Sequence, residues 1–300
     1  MQERIIDLLE RTGPRTGAEI HAELGGETFA LWKACMLSPR LAIRRVGRRY
    51  VRLDRRVDGY ARLSPSILRE FLTYTVVGLA DDPAAMDLRT KELQAHIKDI
   101  SRKKLELATR IVTDIVAPFT ADGEEKPFCV VVAGDIVYEM AHDVNRPESS
   151  TGEMVHGSDL DIVVIVSDEA PGELVTQLDD AIYQKKYPYL KHPDFREEID
   201  YIVKRFSKLC EQAEFDTFQR MVACKIFDEA VLLYGSGELF AAGKALLRER
   251  GVIDRLRAME QSAIRAREQW EQHLLATDEQ ALRREDLFLF YTDEESEEFE

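Results

Sequence analysis

The sequence predicts an α+β protein of more than one domain, and three observations support this prediction. The chain has 300 residues, of which 45% are apolar, and this is enough for about two separate cores. Residues 93–116 repeat an apolar side chain every three or four positions, which is typical of an amphipathic helix. Residues 128–133 and 162–166 are short apolar runs rich in β-branched side chains, which are typical of buried strands.

The order of these patterns divides the chain into four segments. Residues 1–62 predict three short helices and a hairpin, and residues 63–120 predict a helical connector that ends in the first helix of the core. Residues 121–240 predict a core with a mixed sheet flanked by helices. Residues 241–300 predict a C-terminal helical appendage with an acidic tail.

Composition and charge narrow the class of protein. Residues 1–62 contain 13 Lys and Arg against 8 Asp and Glu, whereas the rest of the chain contains 28 against 48, so a basic segment precedes an acidic body. No apolar run approaches the about 18–20 residues of a membrane span. The four cysteines are scattered along the chain. We therefore expect a cytoplasmic protein with reduced thiols and no membrane partner.

The N-terminal segment has the element order of a small binding domain. Helices are predicted at residues 4–11, 18–24 and 29–37, and residues 41–53 predict a hairpin that turns at Gly47. This order resembles a winged helix-turn-helix domain. Such domains bind nucleic acid or serve as protein-interaction modules, and both interpretations remain open.

Residues 40–62 contain nine arginines, and arginine suits contacts with the phosphates of nucleic acid. The candidate recognition helix offers little beyond Trp32 and Lys33 for reading bases. We therefore expect backbone contact rather than sequence-specific reading if nucleic acid is the partner.

The connector predicts two helices. Ser64 is a good N-cap and Pro65 suits the first helical position, so residues 64–79 predict one helix. A longer amphipathic helix is predicted at about residues 84–116. It ends before Pro118 and a polar loop.

Two carboxylates stand at the start of the strand predicted for residues 162–166. Asp159 and Asp161 are two residues apart, and side chains alternate between faces along a strand, so both carboxylates point the same way. Neighbouring carboxylates repel unless a cation lies between them, and Mg²⁺ prefers oxygen ligands. The alternative is that both are solvated acids flanking a strand.

A candidate phosphate site precedes these carboxylates. Residues 128–133 predict a buried strand, Gly134 and Asp135 a turn, and residues 136–142 a short helix. Free N–H groups at a helix N-terminus attract anions. This arrangement therefore predicts a phosphate cradle, although many α/β turns look the same.

Together these elements resemble the nucleotidyltransferase superfamily typified by DNA polymerase β. That family has a strand, a Gly-Ser turn that opens a helix, a second strand with Asp-x-Asp, and a third strand with one more carboxylate. In this chain the matching residues are Gly134-Asp135, Asp159-Leu160-Asp161 and Asp200, and the resemblance covers about residues 90–240. Glu198 shares a strand face with Asp200, which leaves the choice between them open.

The resemblance implies transfer of a nucleoside monophosphate from a nucleoside triphosphate to a hydroxyl acceptor by two-metal phosphoryl transfer. The catalytic and metal-binding residues it implies, for two Mg²⁺ or Mn²⁺ ions, are Asp159, Asp161 and Asp200, with Asp200 also a candidate base. The nucleotide-binding residues it implies are Gly134, Asp135, Gly157 and Ser158. Candidates for phosphate contacts, or else plain surface lysines, are Lys185, Lys186 and Lys204.

The chain departs from the family pattern in two places. Asp135 replaces the family's Ser, and a carboxylate there must turn away from a triphosphate, bind metal, or mark altered or lost substrate binding. The 24 residues between Gly134 and Asp159 exceed the usual spacing, so residues 145–155 predict a surface loop that covers the site or contacts substrate. The alternative function is a DNA- or partner-binding regulator with a degenerate nucleotidyltransferase domain.

The C-terminal third predicts helices at residues 206–218, 219–232, 237–249 and 252–275. Residues 291–300 contain six acids and predict a disordered tail. This tail is interpreted as solubilising, or alternatively as a competitor of phosphate for the basic N-terminal segment.

Overall fold

The computed structural model describes residues 1–119, 126–148, 151–278, 281–283, 286–288 and 290–291. These residues form two compact units. The first contains Met1–His96 and the described residues of Met259–Ser296, and the second contains Ile97–Ala258. The boundary expected at residue 62 thus lies inside the first unit. Within the described part of the chain, no helix combines the length and the apolar character that crossing a membrane requires.

The described elements confirm an α+β fold with mixed and antiparallel sheets. The helices are α1 (Gln2–Thr12), α2 (Gly17–Leu24), α3 (Thr28–Leu37), α4 (Ile67–Thr73), α5 (Pro83–Val116), α6 (Gly172–Lys191), α7 (Phe206–Gln212), α8 (Phe218–Glu229), α9 (Gly237–Glu249) and α10 (Val252–Ala276). The strands are β1 (Arg15–Thr16), β2 (Leu41–Arg45), β3 (Tyr50–Leu53), β4 (Ala61–Ser64), β5 (Thr75–Leu79), β6 (Phe128–Val132), β7 (Asn145–Pro147), β8 (Met154–His156), β9 (Leu160–Val166), β10 (Ile199–Arg205) and β11 (Val231–Gly235).

The first unit packs helices against a small antiparallel sheet in the order β1-β5-β2. The apolar face of α1 is buried, as its helical spacing predicts. Thr16 caps α2 by accepting a hydrogen bond from the Glu19 N–H, while the Glu19 carboxylate accepts one from the Thr16 N–H. Residues that form this core include Ile5, Leu9, Ile20, Leu31, Trp32, Phe71, Leu274 and Phe290.

Two predictions for the first unit are wrong. Residues 41–53 do not form one hairpin, because β2 pairs with β5 and β3 pairs with β4. The helix expected over residues 64–79 ends at Thr73, and β5 follows it. The β-branched run Thr75-Val76-Val77 favours a strand, since such side chains lose rotamers in a helix. β2 therefore pairs with the buried strand β5 and not with β3.

Most arginines of residues 40–62 are engaged within the first unit. At least six of the nine form ion pairs with carboxylates. The largest network surrounds Glu70, whose Oε2 lies 2.6 Å from Arg49 Nη2 and 3.3 Å from Arg267 Nη2. Burial by itself would raise the pKa of Glu70, but the arginines outweigh it and hold that pKa below its ordinary value.

The second unit contains a four-stranded sheet in the order β10-β9-β6-β11. β9 and β10 are parallel, while β6 pairs antiparallel with β9 and β11, so the sheet is mixed, as the sequence predicts. β6 is buried along its whole length. One face of the sheet packs against apolar residues of α5 and α6, among them Ala108, Ile111, Leu178 and Ile182.

Several sequence predictions for the second unit are corrected by the structure. Residues 136–142 do not form an α-helix: a single 3₁₀ turn covers Gly134–Ile136, and Glu139 has a positive φ of 57°, which interrupts helical geometry. Residues 145–155 are not simply a loop, because β7 and β8 pair antiparallel. The helix expected over 206–218 ends at Gln212, and α8 ends at Glu229 rather than residue 232.

Two further predictions concern the C-terminal part of the chain. The last long helix is confirmed as α10. The predicted acidic tail lies outside the described residues except for Tyr291. All four cysteines are free thiols, and three of them are buried.

Candidate active site

Three carboxylates meet at the edge where β9 and β10 begin. Asp161 and Asp200 are directly paired in the parallel register of these strands, so their side chains share one face. Asp159 comes two residues before Asp161 and joins them. One oxygen from each carboxylate lies within 4.8 Å of the others, and all three residues are partly exposed. Of the two candidates Glu198 and Asp200, the structure thus brings Asp200 to the cluster, while Glu198 lies just before β10.

The cluster fits a hard divalent cation. In an octahedral Mg²⁺ site, neighbouring oxygen ligands are about 3 Å apart and opposite ligands about 4.2 Å apart, as metal–oxygen bonds of about 2.1 Å require. The three carboxylate oxygens lie within 4.8 Å of one another, so binding one ion would draw them closer together. Among the described residues these three form the single group of His, Cys, Asp or Glu with such spacing.

Gly134 is fitted closely against this cluster. Its φ is +74°, and a Cβ added there would lie 2.1 Å from Asp161 Oδ2. Any side chain at this position would therefore clash with the carboxylate and adopt a strained backbone conformation. The sequence-predicted turn residue thus sets the position of Asp161 by leaving space for it.

The turn before β9 is also fixed by close contacts. A Cβ on Gly157 would lie 1.7 Å from the backbone oxygen of His142. Ser158 is buried, and its hydroxyl donates a hydrogen bond of 2.9 Å to Asp135 Oδ2. The predicted nucleotide-binding residues Asp135 and Ser158 are thus bonded to each other. Asp135 does not belong to the metal-type cluster formed by the described carboxylates.

Lys104 on α5 donates hydrogen bonds to the backbone of this turn. Its buried ammonium group donates to the backbone oxygens of His156 and Ser158 and to Glu197 Oε2, at 2.7–2.9 Å. Three acceptors match the three N–H donors of a lysine, so the buried charge is fully hydrogen-bonded. Burial raises the pKa of Glu197 despite this neighbour. Lys104 therefore fixes the backbone that carries Asp159.

Two cations face the carboxylate cluster. Arg146 Nη2 lies 3.5 Å from Asp159 Oδ2, and its Nη1 lies 2.8 Å from Glu198 Oε2. Lys186 Nζ lies 3.1 Å from Asp200 Oδ1. Burial raises the pKa of Glu198 to about 7, in spite of Arg146. The site therefore contains more acidic than basic side chains.

The expected phosphate cradle is altered at its first N–H group. The backbone N–H of Gly134 donates to Glu229 Oε1 at 3.0 Å. Glu229 is buried and also binds the Tyr138 hydroxyl at 2.5 Å and Lys225 Nζ at 2.9 Å. The Glu229 carboxylate thus accepts the hydrogen bond of an N–H group that the resemblance assigns to a phosphate.

The other candidate phosphate contacts separate into two groups. Lys186 reaches the cluster, whereas Lys204 is buried and donates to Gln212 at 2.6 Å. Burial lowers the pKa of Lys204 to about 8. Lys185 is exposed on α6.

Sequence reasoning missed three residues that define the site: Lys104, Arg146 and Glu229. Arg146 reaches Asp159 because β7 pairs with β8, a pairing hidden in a segment read as a loop. Glu229 is 95 residues from the Gly134 N–H that it binds. The one available signal was that Arg146 is a basic residue in the insertion expected to cover the carboxylates.

Comparison with known proteins adds no assignment. The chain matches no protein-family model, and no curated protein sequence matches it. What can be said about function therefore depends on the residues and the geometry described above.

Proposed function

We propose that this protein is a Mg²⁺-dependent nucleotidyltransferase that moves a nucleoside monophosphate from a nucleoside triphosphate to a hydroxyl acceptor. The observation that carries the proposal is the cluster of Asp159, Asp161 and Asp200, whose oxygens lie within 4.8 Å of one another. These residues lie on two adjacent strands, beside a glycine turn, in the order that the superfamily resemblance implies.

Each carboxylate has a distinct role in this proposal. Asp159 and Asp161 would hold Mg²⁺ for the triphosphate, and Asp200 would join them in holding a second ion for the acceptor hydroxyl. Bound Mg²⁺, or Mn²⁺ in its place, would neutralise charge that develops on the phosphoryl oxygens. Asp200 accepts the proton of the acceptor hydroxyl while the hydroxyl oxygen bonds to the α-phosphorus, and the bond from that phosphorus to the β-phosphate oxygen breaks, so that pyrophosphate leaves.

Arg146 and Lys186 support the same function through their charge. Both contact the carboxylates directly and both are partly exposed. When a metal ion neutralises the carboxylates, these cations become available to a triphosphate, whose charge they would balance. They therefore keep the acidic cluster assembled before substrate arrives.

Two finer proposals concern partner and location. Contact of residues 40–62 with nucleic acid is supported by nine arginines and weakened by the ion pairs that six of them make inside the first unit. Placement in the cytoplasm is supported by four free cysteines.

The test is label transfer from each α-³²P nucleoside triphosphate, with Mg²⁺ or Mn²⁺, to total RNA and to lysate proteins and metabolites. We expect the full chain to label an acceptor and Asp159→Asn/Asp161→Asn to lose the activity. Asp180→Asn is the matched control, because Asp180 is an exposed carboxylate of α6. Absence of labelling together with absence of metal-dependent nucleotide binding would overturn the proposal.

One observation favours a second function, a DNA- or partner-binding regulator with a degenerate nucleotidyltransferase domain. The Glu229 carboxylate accepts a hydrogen bond from the Gly134 N–H, and Asp135 stands where the family has Ser. A carboxylate at a phosphate-binding donor opposes nucleotide binding. The Glu229→Gln variant separates the two functions: it strengthens nucleotide binding in an enzyme and leaves a regulator without it.

A further inference from the structure

The second half of α6 combines exposed aromatic and basic side chains. Tyr183 and Tyr187 are 69% and 56% exposed. Residues 183–191 also contain Lys185, Lys186 and Lys191 and no acidic residue. In a chain with a net charge of −15, this is a local concentration of positive charge. We call residues 183–191 the aromatic-basic segment.

This segment is anchored to the candidate active site. Lys186 Nζ lies 3.1 Å from Asp200 Oδ1. Tyr183 and Tyr187 are four residues apart and therefore lie on one helix face, next to the position of Lys186. Two exposed rings thus stand within one helical turn of the residue that touches the carboxylate cluster.

The same face continues to a basic pocket. Lys191 Nζ lies 4.9 Å from the centre of the Tyr187 ring, a cation–π contact. Lys191 and Arg196 line a surface pocket of about 390 Å³, together with Gly152, Glu153, Met154, Leu190 and Pro193, and Lys191 Nζ lies 3.1 Å from Glu153 Oε1. This volume lies within the range of small-molecule sites. Arg196 and the apolar side chains suit a phosphate and the base that accompanies it, and the phosphate would compete with Glu153 for Lys191.

We infer that the aromatic-basic segment binds the 3′-terminal stretch of a single-stranded nucleic acid, which is the hydroxyl acceptor of the reaction. This inference rests on the proposed function. Tyrosine rings stack on unpaired bases, and lysines between them bind the phosphates of the backbone. The strand runs from the pocket along Tyr187 and Tyr183 and presents its 3′ hydroxyl to Asp200.

Charge favours this occupant over a protein surface. The two tyrosines are single exposed rings among lysines and do not form the broad apolar patch of a protein interface. A polyanion complements Lys185 and Arg196, and it would compete with Asp200 for Lys186 and with Glu153 for Lys191. A strand with unpaired bases also supplies the flat rings that exposed tyrosines accept.

The test is fluorescence anisotropy of the full chain with labelled 12-nucleotide RNA and DNA strands, measured in EDTA without nucleotide. We expect binding that weakens as salt rises, and Tyr183→Ala/Tyr187→Ala to lower affinity about tenfold or more, from the loss of two stacking rings. Tyr183→Phe/Tyr187→Phe keeps the rings and should keep the affinity. Lys185→Gln should weaken binding, and Lys103→Gln, an exposed lysine of α5, should not.

Comparison of the affinities for the RNA strand and the DNA strand identifies which sugar the surface accepts. The inference is overturned if neither strand binds, or if the alanine variant binds both as tightly as the unchanged chain. It is also overturned if the alanine variant keeps its affinity for the strands and differs from the unchanged chain only in the molar mass that light scattering measures. The tyrosines would then join two copies of the chain. Because binding is measured without metal or triphosphate, strand binding without label transfer would contradict the proposed reaction and leave the surface intact.

Discussion

The two units contain charged clusters of opposite design. In the first unit, Glu70 and Glu271 are surrounded by Arg45, Arg49 and Arg267, so cations outnumber acids. In the second unit, three partly exposed carboxylates lie beside two cations, Arg146 and Lys186. A network in which every carboxylate is paired with arginines holds a structure together, whereas an open network with excess negative charge is suited to bind a cation. The difference indicates which cluster is the site.

The largest effect should come from opening the buried network. Glu70→Ala leaves the buried Arg267 without one of its two carboxylate partners, and breaking such a pair costs about 3–5 kcal/mol. Trp32 and Trp270 are the two tryptophans of the chain and both belong to the first unit. Urea unfolding followed by tryptophan fluorescence therefore measures the loss.

The matched control is Glu10→Ala, which removes an exposed pair with Arg40. Such pairs contribute about 0–1 kcal/mol. Equal losses in Glu70→Ala and Glu10→Ala would show that the network around Glu70 has no special role.

The next effect concerns the glycine that leaves space for Asp161. Gly134→Ala places a Cβ 2.1 Å from Asp161 Oδ2, and we expect Mn²⁺ affinity to fall about 10–100-fold as the ligand is displaced. Gly152→Ala is the control, because Gly152 also has a positive φ but no atom within 4 Å of its Cβ position. Calorimetric titration should show a loss in the first variant alone, and equal affinities would mean that Asp161 is not a ligand.

Acid should weaken the first unit through Glu70. Its folded pKa is lowered by Arg49, Arg267 and Arg45 against the effect of burial, so its stabilisation is complete above the ordinary value of 4.5 and is lost as pH falls through the folded pKa. Melting of the first unit, followed by tryptophan fluorescence, should move to lower temperature below about pH 4.5. In Glu70→Gln this part of the pH dependence should be smaller, and an unchanged profile would exclude Glu70 as its source.

The smallest effect should come from relieving repulsion in the open cluster. Asp161→Asn removes one of three neighbouring negative charges, and in EDTA it should leave the free energy of unfolding unchanged or raise it by up to about 1 kcal/mol. The same variant should lose the stabilisation that Mg²⁺ gives. Circular dichroism melts with and without Mg²⁺ measure both. A strong destabilisation in EDTA would show that Asp161 stabilises the fold, as Glu70 does, and is not held there for binding a metal.

Local patterns predicted the parts of the site that depend on local geometry. The alternation of a strand placed Asp159 and Asp161 on one face, and the apolar run after them became β9. Asp200 joined them because β10 lies parallel to β9 with these residues in register. The sequence predicted Asp200 but left the register open by one same-face step, because Glu198 shares its strand face.

The remaining features depend on contacts between distant residues. β2 pairs with β5 across an intervening hairpin and helix, which no short window reveals. The Gly134 N–H donates its hydrogen bond to Glu229, which is 95 residues away in the sequence. The helix-start signals at Ser64 and Pro65 lie just before α4, which Ser66 caps, but the helix ends at Thr73 because the β-branched run of β5 follows it.

The central claim is that Asp159, Asp161 and Asp200 bind a divalent cation. The direct measurement is calorimetric titration of the full chain with Mn²⁺, beside Asp159→Asn/Asp161→Asn and the control Asp180→Asn. We expect saturable binding in the unchanged chain and the control, and its loss in the double variant. Equal binding by all three proteins, or none by the unchanged chain, would contradict the assignment of this cluster as a metal centre.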